Sequence, residues 1–371
     1  MSEWKECKLG DVAEFKNGKS RPSEIVNGTI PIYGGNGILG YTDTFNYQGE
    51  TVIVGRVGAY CGSVFFEYKP IWVSDNALYT IPKNETDAKF LYYLLKNMGL
   101  NSQAEGSSHP LLTQTLLNSL DVFVTDSLTE QRAIAGVLSS LDNKIDLLHR
   151  QNKTLEGMAE ALYRKMFVPA CAGEPHADRE EADPGWKKGK LGDEMSIIMG
   201  QSPPGNTYNE EKQGIVFFQG RAEFDFRFPQ TRLYCTEPKR FAKKGDTLVS
   251  VRAPVGDINM AYEDCCIGRG LASVRHKRDD TSYTFYKVRS LKDDFDSFEQ
   301  QGTVFGAIGK DDFNNIDTLI PSERAIQEFE HTAKPIDDKI FANSIQIRTL
   351  SRLRDALLPK LVSGEIRVNN E

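Results

Sequence analysis

The chain has little that would hold a metal, a disulfide framework or a membrane. None of its six cysteines forms a C-x-x-C pair, and its five histidines do not gather near them at metal-ligand spacing. A structural zinc or a set of disulfides is therefore not expected to organise the fold. No run approaches the roughly 18 apolar residues that a membrane helix needs. Met1–Gly10 has neither the apolar stretch nor the cleavage site of a signal peptide, so a cytoplasmic protein is expected. Two catalytic strings are also missing: N/D-P-P-F/Y, which an amino-methyltransferase would carry, and G-x-x-x-x-G-K-S/T, which a nucleotide-driven motor would carry. Gly200–Tyr208 has adjacent prolines but reads as a turn-rich loop, and the glycine-rich Val304–Lys310 lacks P-loop spacing. No Ser/His/Asp or Cys/His set can be assembled. An excess of positive charge is absent as well: the formal net charge of −7 excludes indiscriminate nucleic-acid binding while leaving room for a local basic cleft.

What is present is repetition. WKECKLGD at Trp4–Asp11 returns as WKKGKLGD at Trp186–Asp193, an offset of 182 (186 − 4). GETVIVGR at Gly49–Arg56 returns as GDTLVSVR at Gly245–Arg252, and LLNSLDVFV at Leu116–Val124 as DFNNIDTLI at Asp312–Ile320, both at 196 (245 − 49 and 312 − 116). KIDLLHRQNKTL at Lys144–Leu155 returns as KIFANSIQIRTL at Lys339–Leu350, at 195 (339 − 144). A period this long means two copies of a whole domain with its connector, since solenoid repeats run about 20–50 residues.

Each half opens with short β-rich segments broken by glycine. In the first, Ile30–Gly34, Thr51–Gly55, Ser63–Tyr68 and Ala77–Pro82 read as strands and Ala88–Asn97 as a helix. In the second, Ile215–Gly220, Asp246–Arg252 and Ala272–His276 read as strands and Tyr283–Phe298 as the helix. Two mixed α/β domains follow, residues 1–126 and 186–321, with a linker at 168–185 rich in proline, glycine and charge. Between and after them, apolar residues step by three and four through Ile134, Leu138, Leu141, Ile145, Leu148, Asn152, Leu155, Ala159, Leu162 and Met166. The same spacing runs from Ile326 through Ile340, Asn343 and Ile347 to Leu361. Sustained heptads predict two coiled-coil helices, 127–167 and 322–364, with Pro335 and Pro359 expected to kink or interrupt the second. Paired within one chain, the helices must run antiparallel. A register that sets Ile134 against Leu361 and Leu155 against Ile340 also sets Asn152 against Asn343, where two amides can satisfy each other and fix the register. The expected fold is thus a mixed α+β domain, duplicated, joined by an antiparallel coiled coil in an internal pseudo-twofold repeat.

These residues resemble the DNA-specificity subunit of type I restriction–modification systems. The marks are the W-x3-x-LGD opening of both halves, EQRAIA at Glu130–Ala135 leading into LDNKI at Leu141–Ile145, and RDALLPKLVSGEI at Arg354–Ile366. The second copy has SERAIQEF at Ser322–Phe329 and keeps the glutamate-led motif only in part. The resemblance implies two target-recognition domains, each reading half of a bipartite, asymmetric duplex DNA sequence, with the paired helices as spacer. It implies two methyltransferase subunits and a restriction subunit as partners, with S-adenosylmethionine, ATP and Mg held by them and no cofactor or catalytic centre in this chain. A coiled-coil scaffold whose α/β domains bind protein partners stays open as the alternative, supported by the net acidity.

Base edges are read by arginine, lysine, asparagine and glutamine, so polar residues on glycine-flanked loops at matching places in both halves are the candidates. The first loop offers Lys16, Lys19, Ser20 and Arg21 in one copy and Gln201 and Ser202 in the other. The next offers Tyr33 and Asn36, matched by Gln219, Arg221 and Arg227. Arg56 and Arg252 are expected at one equivalent turn, either reading DNA or anchoring the turn through backbone carbonyls. Asn76 and Arg269 follow, then Ser107, Ser108 and His109, and Lys310.

Overall fold

The computed structural model describes residues 3–24, 27–83, 85–106, 110–168, 185–300 and 306–368. The expected linker at 168–185 thus lies almost wholly outside the described residues, as do Ser107, Ser108 and His109. The chain divides into two compact units, Met1–Leu147 with Gln346–Glu371, and Leu148–Ile345.

In unit 1, β1 (Trp4–Lys8) leads through the short helix α1 (Leu9–Val12) into β2 (Ala13–Asn17), followed by the hairpin β3 (Ile30–Gly34) and β4 (Gly37–Thr42). Then come β5 (Thr51–Gly55), β6 (Val64–Glu67), β7 (Trp72–Val73), β8 (Ala77–Pro82), α2 (Ala88–Asn97), α3 (Gln114–Ser119) and β9 (Asp121–Thr125). A four-stranded sheet has the order β2-β8-β5-β6, a three-stranded sheet the order β4-β3-β7, and β1 pairs with β9. Helix α2 starts where Asp87 caps it, its carboxylate accepting from Lys89 N and Phe90 N. It buries Phe90, Leu91, Tyr93, Leu94 and Leu95.

The LGD motif owes its place to this fold. The amide of Lys8 donates to Asp11 Oδ2 (2.9 Å), the Lys8 ammonium meets Asp121 (2.6 Å), and Leu9 is fully buried. Unit 2 repeats each contact: Lys190 N to Asp193 Oδ2 (2.7 Å), the Lys190 ammonium to Asp317 (2.7 Å), and a buried Leu191. The most legible repeat in the sequence is thus an anchor of the domain.

The long helix α4 (Leu128–Phe167) runs from unit 1 into unit 2. In unit 2, β10 (Lys187–Lys190), α5 (Leu191–Glu194) and β11 (Met195–Met199) are followed by β12 (Tyr208–Asn209), β13 (Ile215–Phe218), β14 (Leu233–Cys235), β15 (Phe241–Ala242) and β16 (Thr247–Ser250). Next come β17 (Ile258–Met260), β18 (Cys265–Ile267), β19 (Leu271–His276), α6 (Thr281–Ser290), α7 (Lys292–Gln300), α8 (Lys310–Asn314), β20 (Asp317–Ile320) and the long helix α9 (Glu323–Val362). The sheet order β11-β19-β16-β17 matches that of unit 1, and a five-stranded sheet has the order β12-β14-β13-β18-β15. The helix expected at Tyr283–Phe298 is two helices broken at Leu291. The second of them sets Phe295 against Phe313, with ring centroids 5.4 Å apart.

Each long helix has 40 residues, about 60 Å at 1.5 Å per residue. Of the two outcomes expected at Pro335 and Pro359, interruption does not occur: α9 continues through both. Proline costs a helix roughly 3 kcal/mol, and burial of Phe329, Ala333 and Ile340 on either side of Pro335 offsets it. The helices pair antiparallel. In unit 1 Ile134 and Leu138 share a core with Leu358 and Leu361, and in unit 2 Ala159 and Tyr163 share one with Phe329 and Ala333. In unit 2 Asn343 Nδ2 donates to Asn152 Oδ1 at 2.9 Å, and both side chains are buried. Asn152→Leu alone is expected to lower stability by about 1–3 kcal/mol, because the Asn343 amide loses its acceptor. Changing both to leucine should remove that penalty, and calorimetry compares the three proteins.

Candidate nucleic-acid interface

The candidate loops of unit 1 converge at one end of its main sheet. After β2, Gly18 N donates to Ala77 O (3.1 Å) and Lys19 N to Val73 O (2.9 Å). The contact is close: a Cβ on Gly18 would stand 1.9 Å from Ser74 O, and one on Gly55 would stand 2.3 Å from Gly35 O. Arg56 N donates to Asn76 O (3.1 Å), its guanidinium reaches Asn17 Oδ1 (3.1 Å), and Leu112 N donates to Arg56 O (2.9 Å). Lys19, Asn36 and Asn76 are exposed on these loops, and Arg56 is half-buried.

Unit 2 rebuilds the same end. Gly200 N donates to Leu271 O (2.9 Å), Gln201 N to Ile267 O (3.0 Å), Val251 N to Gly270 O (2.9 Å) and Ile308 N to Val251 O (3.1 Å). A Cβ on Gly200 would stand 2.2 Å from Gly268 O. Gln201, Gln219, Arg252 and Arg269 are exposed there, and Ser202 Oγ accepts from Arg269 N (3.2 Å).

This hydrogen-bond lattice corrects one expected equivalence. Arg56 and Val251 hold the same place: each amide bonds the loop that precedes the last strand of its sheet, and each carbonyl bonds the loop near residue 110 or 308. Arg252 matches Val57 instead, as the bridges Val57–Leu111 and Arg252–Ala307 show. The sequence repeat aligns these strands at 196, but the lattice matches β5 to β16 at 195 (251 − 56) and β8 to β19 at 194 (270 − 76), so that Val54 faces Leu78 as Val249 faces Ala272. A slip of one residue turns a side chain to the opposite face. Arg56 is therefore tied to Asn17, whereas Arg252 is exposed.

Three further candidates are placed differently from expectation. Arg227 is 1% exposed, bonded to Glu156, Asp337 (3.1 Å) and the Tyr286 hydroxyl (2.9 Å), with its guanidinium 3.8 Å from the centroid of the Phe285 ring. It fastens its loop to the helix pair of unit 2 and cannot reach a base. Burial pushes its pKa down, but Asp337, Tyr286 and Glu156 outweigh this and hold it above the usual value. Tyr33 is 7% exposed in a small apolar cluster, and its hydroxyl donates to Glu67 (3.3 Å). Burial, with Glu67 beside it, pushes its phenol up to about 12. Lys16 turns to an ion pair with Glu14. Arg21 and Arg221 are exposed but engaged, Arg21 with Glu24 and Leu39 O, Arg221 with Asp257 (2.5 Å). Ser20 is exposed, and Lys310 is the exposed first residue of α8. Asn17, the partner of Arg56, carried no sequence signal beyond standing at a strand end. Among the described residues no group of three or more His, Cys, Asp or Glu is placed to hold a metal, and no helix is long and apolar enough to cross a membrane.

A family model for the type I restriction modification DNA specificity domain matches residues 1–157. A Methanocaldococcus jannaschii protein designated the MjaX specificity subunit of a type I restriction enzyme is 32% identical over 339 residues, covering 87% of this chain and 78% of that protein. The chain belongs to the type I restriction–modification specificity subunits. The MjaIX specificity subunit of the same organism is 24% identical, covering 99% of this chain and 94% of the relative. The crystal structure of a type I restriction–modification S subunit from M. genitalium shares the fold, with a TM-score of 0.70 at 19% identity, over 97% of this chain and 96% of that one.

Within this specificity subunit the partly kept EQRAIA motif has a structural account. In unit 1 Glu130 accepts from Trp4 Nε1 (3.2 Å), Thr125 Oγ1 (2.8 Å) and Arg367 (2.8 Å), while Gln131 accepts from Asp87 N (2.7 Å) and donates to Thr125 O (2.9 Å). Ser127 and Ser322 cap the two helices alike, accepting from Glu130 N (3.3 Å) and Ala325 N (3.2 Å), so Ala325 and Ile326, not the residues that the motif aligns, stand there in unit 2. Ile326 is buried in a core that includes the aromatic group Tyr163, Phe167, Trp186, Tyr283 and Phe329. A polar hub in one copy has become an aromatic core in the other, and each satisfies its own buried groups.

Proposed function

We propose that this specificity subunit reads a bipartite, asymmetric sequence in duplex DNA, one loop set per half, and has no catalytic centre of its own. The observation that carries the reading is a single backbone lattice beneath two loop sets with different side chains: Lys19, Asn36, Arg56 and Asn76 in one, Gln201, Gln219, Arg252 and Arg269 in the other. Arginine and lysine address guanine edges, and asparagine and glutamine address adenine, so two unlike sets imply two unlike half-sites. On this reading the domains are residues 1–126 and 186–321. The heptad helices act as spacer and as docking faces for two methyltransferase subunits, with Asn152 and Asn343 keeping their register. A restriction subunit completes the assembly, and the partners hold S-adenosylmethionine, ATP and Mg.

Co-expression with the methyltransferase subunit in a host lacking such systems, followed by methylome sequencing, is the test. One bipartite motif is expected, and no sequence-specific methylation would refute the proposal. Arg252→Ala should then cost about 1–3 kcal/mol in binding and relax one base of one half, measured on duplexes substituted base by base.

A further inference from the structure

From the edge strand of unit 2 we infer a phosphate-docking strip, formed by Lys239, Arg240 and Lys243, that seats the duplex beside the second loop set. The inference rests on the reading proposed above. Strand β15 lies at the edge of the five-stranded sheet, paired among the described residues with β18 alone, through Phe241–Cys266 and Ala242–Cys265. Ile267 N donates to Arg240 O (2.9 Å), and Ile267 O accepts from Gln201 N (3.0 Å), so a single residue separates the strip from the first reading loop. The chain continues from Ile267 directly into Gly268 and Arg269, which places Arg240 beside the Arg269 loop as well.

The three cations are exposed, and among the described residues none meets a carboxylate. Nearby acids hold backbone instead: Asp246 accepts from Lys243 N (2.8 Å) and Asp264 from Lys244 N (2.8 Å). Lys244 differs, since its ammonium lies 4.4 Å from the centroid of the Phe341 ring. Phe241, between the cations, is 50% exposed. Unbonded cations around an exposed ring, next to loops that read bases, suit the sugar-phosphate backbone, which is held by charge without sequence preference. The matching segment of unit 1 is Asp43–Gln48, placed by the Tyr47–Ile71 bridge, and it carries no cation. The strip thus gives the second half-site an electrostatic hold that the first lacks. In a chain of net charge −7 this local concentration marks where a polyanion can settle.

The test uses the full chain with its methyltransferase subunit, and a duplex carrying the motif found by methylome sequencing. Affinity is measured from low to physiological salt for the natural chain, for Lys239→Gln/Arg240→Gln/Lys243→Gln, and for a control with Lys187, Lys188 and Lys212, also exposed on unit 2, changed to Gln. The strip variant should lose about 0.9 in the slope of log K against log salt for each phosphate contact removed. Its methylated motif and melting temperature should be unchanged, and the control should match the natural chain. An unchanged slope would overturn the strip. So would a changed motif, which would make these residues base readers, or aggregation with an unchanged slope, which would make them guards of an open sheet edge. Absence of any sequence-specific methylation by the natural chain would instead remove the parent reading.

Discussion

Arg227→Met is expected to destabilise unit 2 by about 3–5 kcal/mol, the cost of leaving a buried carboxylate without its cation. Glu156 keeps Arg289 at 3.0 Å, so the orphan is Asp337, whose remaining partner is the Tyr286 hydroxyl at 3.0 Å. Adding Asp337→Asn should therefore recover most of the loss, and thermal melting of the three proteins checks both statements. Arg227→Lys should not rescue, because one ammonium cannot span Glu156, Asp337 and Tyr286 while stacking on Phe285.

Unit 1 supplies the internal control. Tyr93 donates to Asp142 (2.8 Å) as Tyr286 does to Asp337, and the two aspartates stand 195 apart (337 − 142) in the repeat. Here the cation is Arg354, on α9, meeting Asp142 at 2.9 Å with both side chains a fifth to a quarter exposed. Its loss should cost only about 1 kcal/mol in this solvated setting. The residue 195 before Arg354 is Ala159, fully buried in unit 2, and its small side chain occupies the place where Arg354 stands in unit 1. The clasp recurs in both copies with its arginine drawn from different elements.

Gly200→Ala is expected to abolish reading of the second half-site while the rest of the chain stays folded. Its Cβ would stand 2.2 Å from Gly268 O and 2.8 Å from Leu271 O, and both are backbone atoms that cannot turn aside. Relief requires the Gln201 loop to part from the Arg269 loop by roughly 1 Å, at an overpacking cost of about 1–3 kcal/mol. Base contacts held to hydrogen-bond tolerance do not survive such a shift, and each is worth about 1–3 kcal/mol of discrimination. Binding to the target should fall by roughly a hundredfold or more, with residual affinity insensitive to bases in that half. Gly18→Ala, 1.9 Å from Ser74 O, should do the same to the other half. Duplexes substituted in one half at a time separate the two variants. Equal loss of both halves from either variant would argue against independent reading.

The residues themselves determined the duplication, the two long helices, the strands β3, β5, β6 and β8 with helix α2 of the first half, and the Asn152–Asn343 layer. All of these rest on local periodicity, glycine punctuation or repetition, which a chain displays in linear order. The tertiary structure alone decided which polar residues remain available. Arg227 and Arg252 look alike in sequence, yet one is spent on Asp337 and the other is exposed, because that choice depends on partners 110 residues away. It also decided the true equivalence of the copies. An alignment offset of 196 and a strand offset of 195 differ by one residue, which is invisible to similarity and decisive in a sheet, where successive side chains face opposite ways. The basic segment Lys239–Lys244 drew no reading from the sequence; its pairing with β18 showed that it borders the candidate loops.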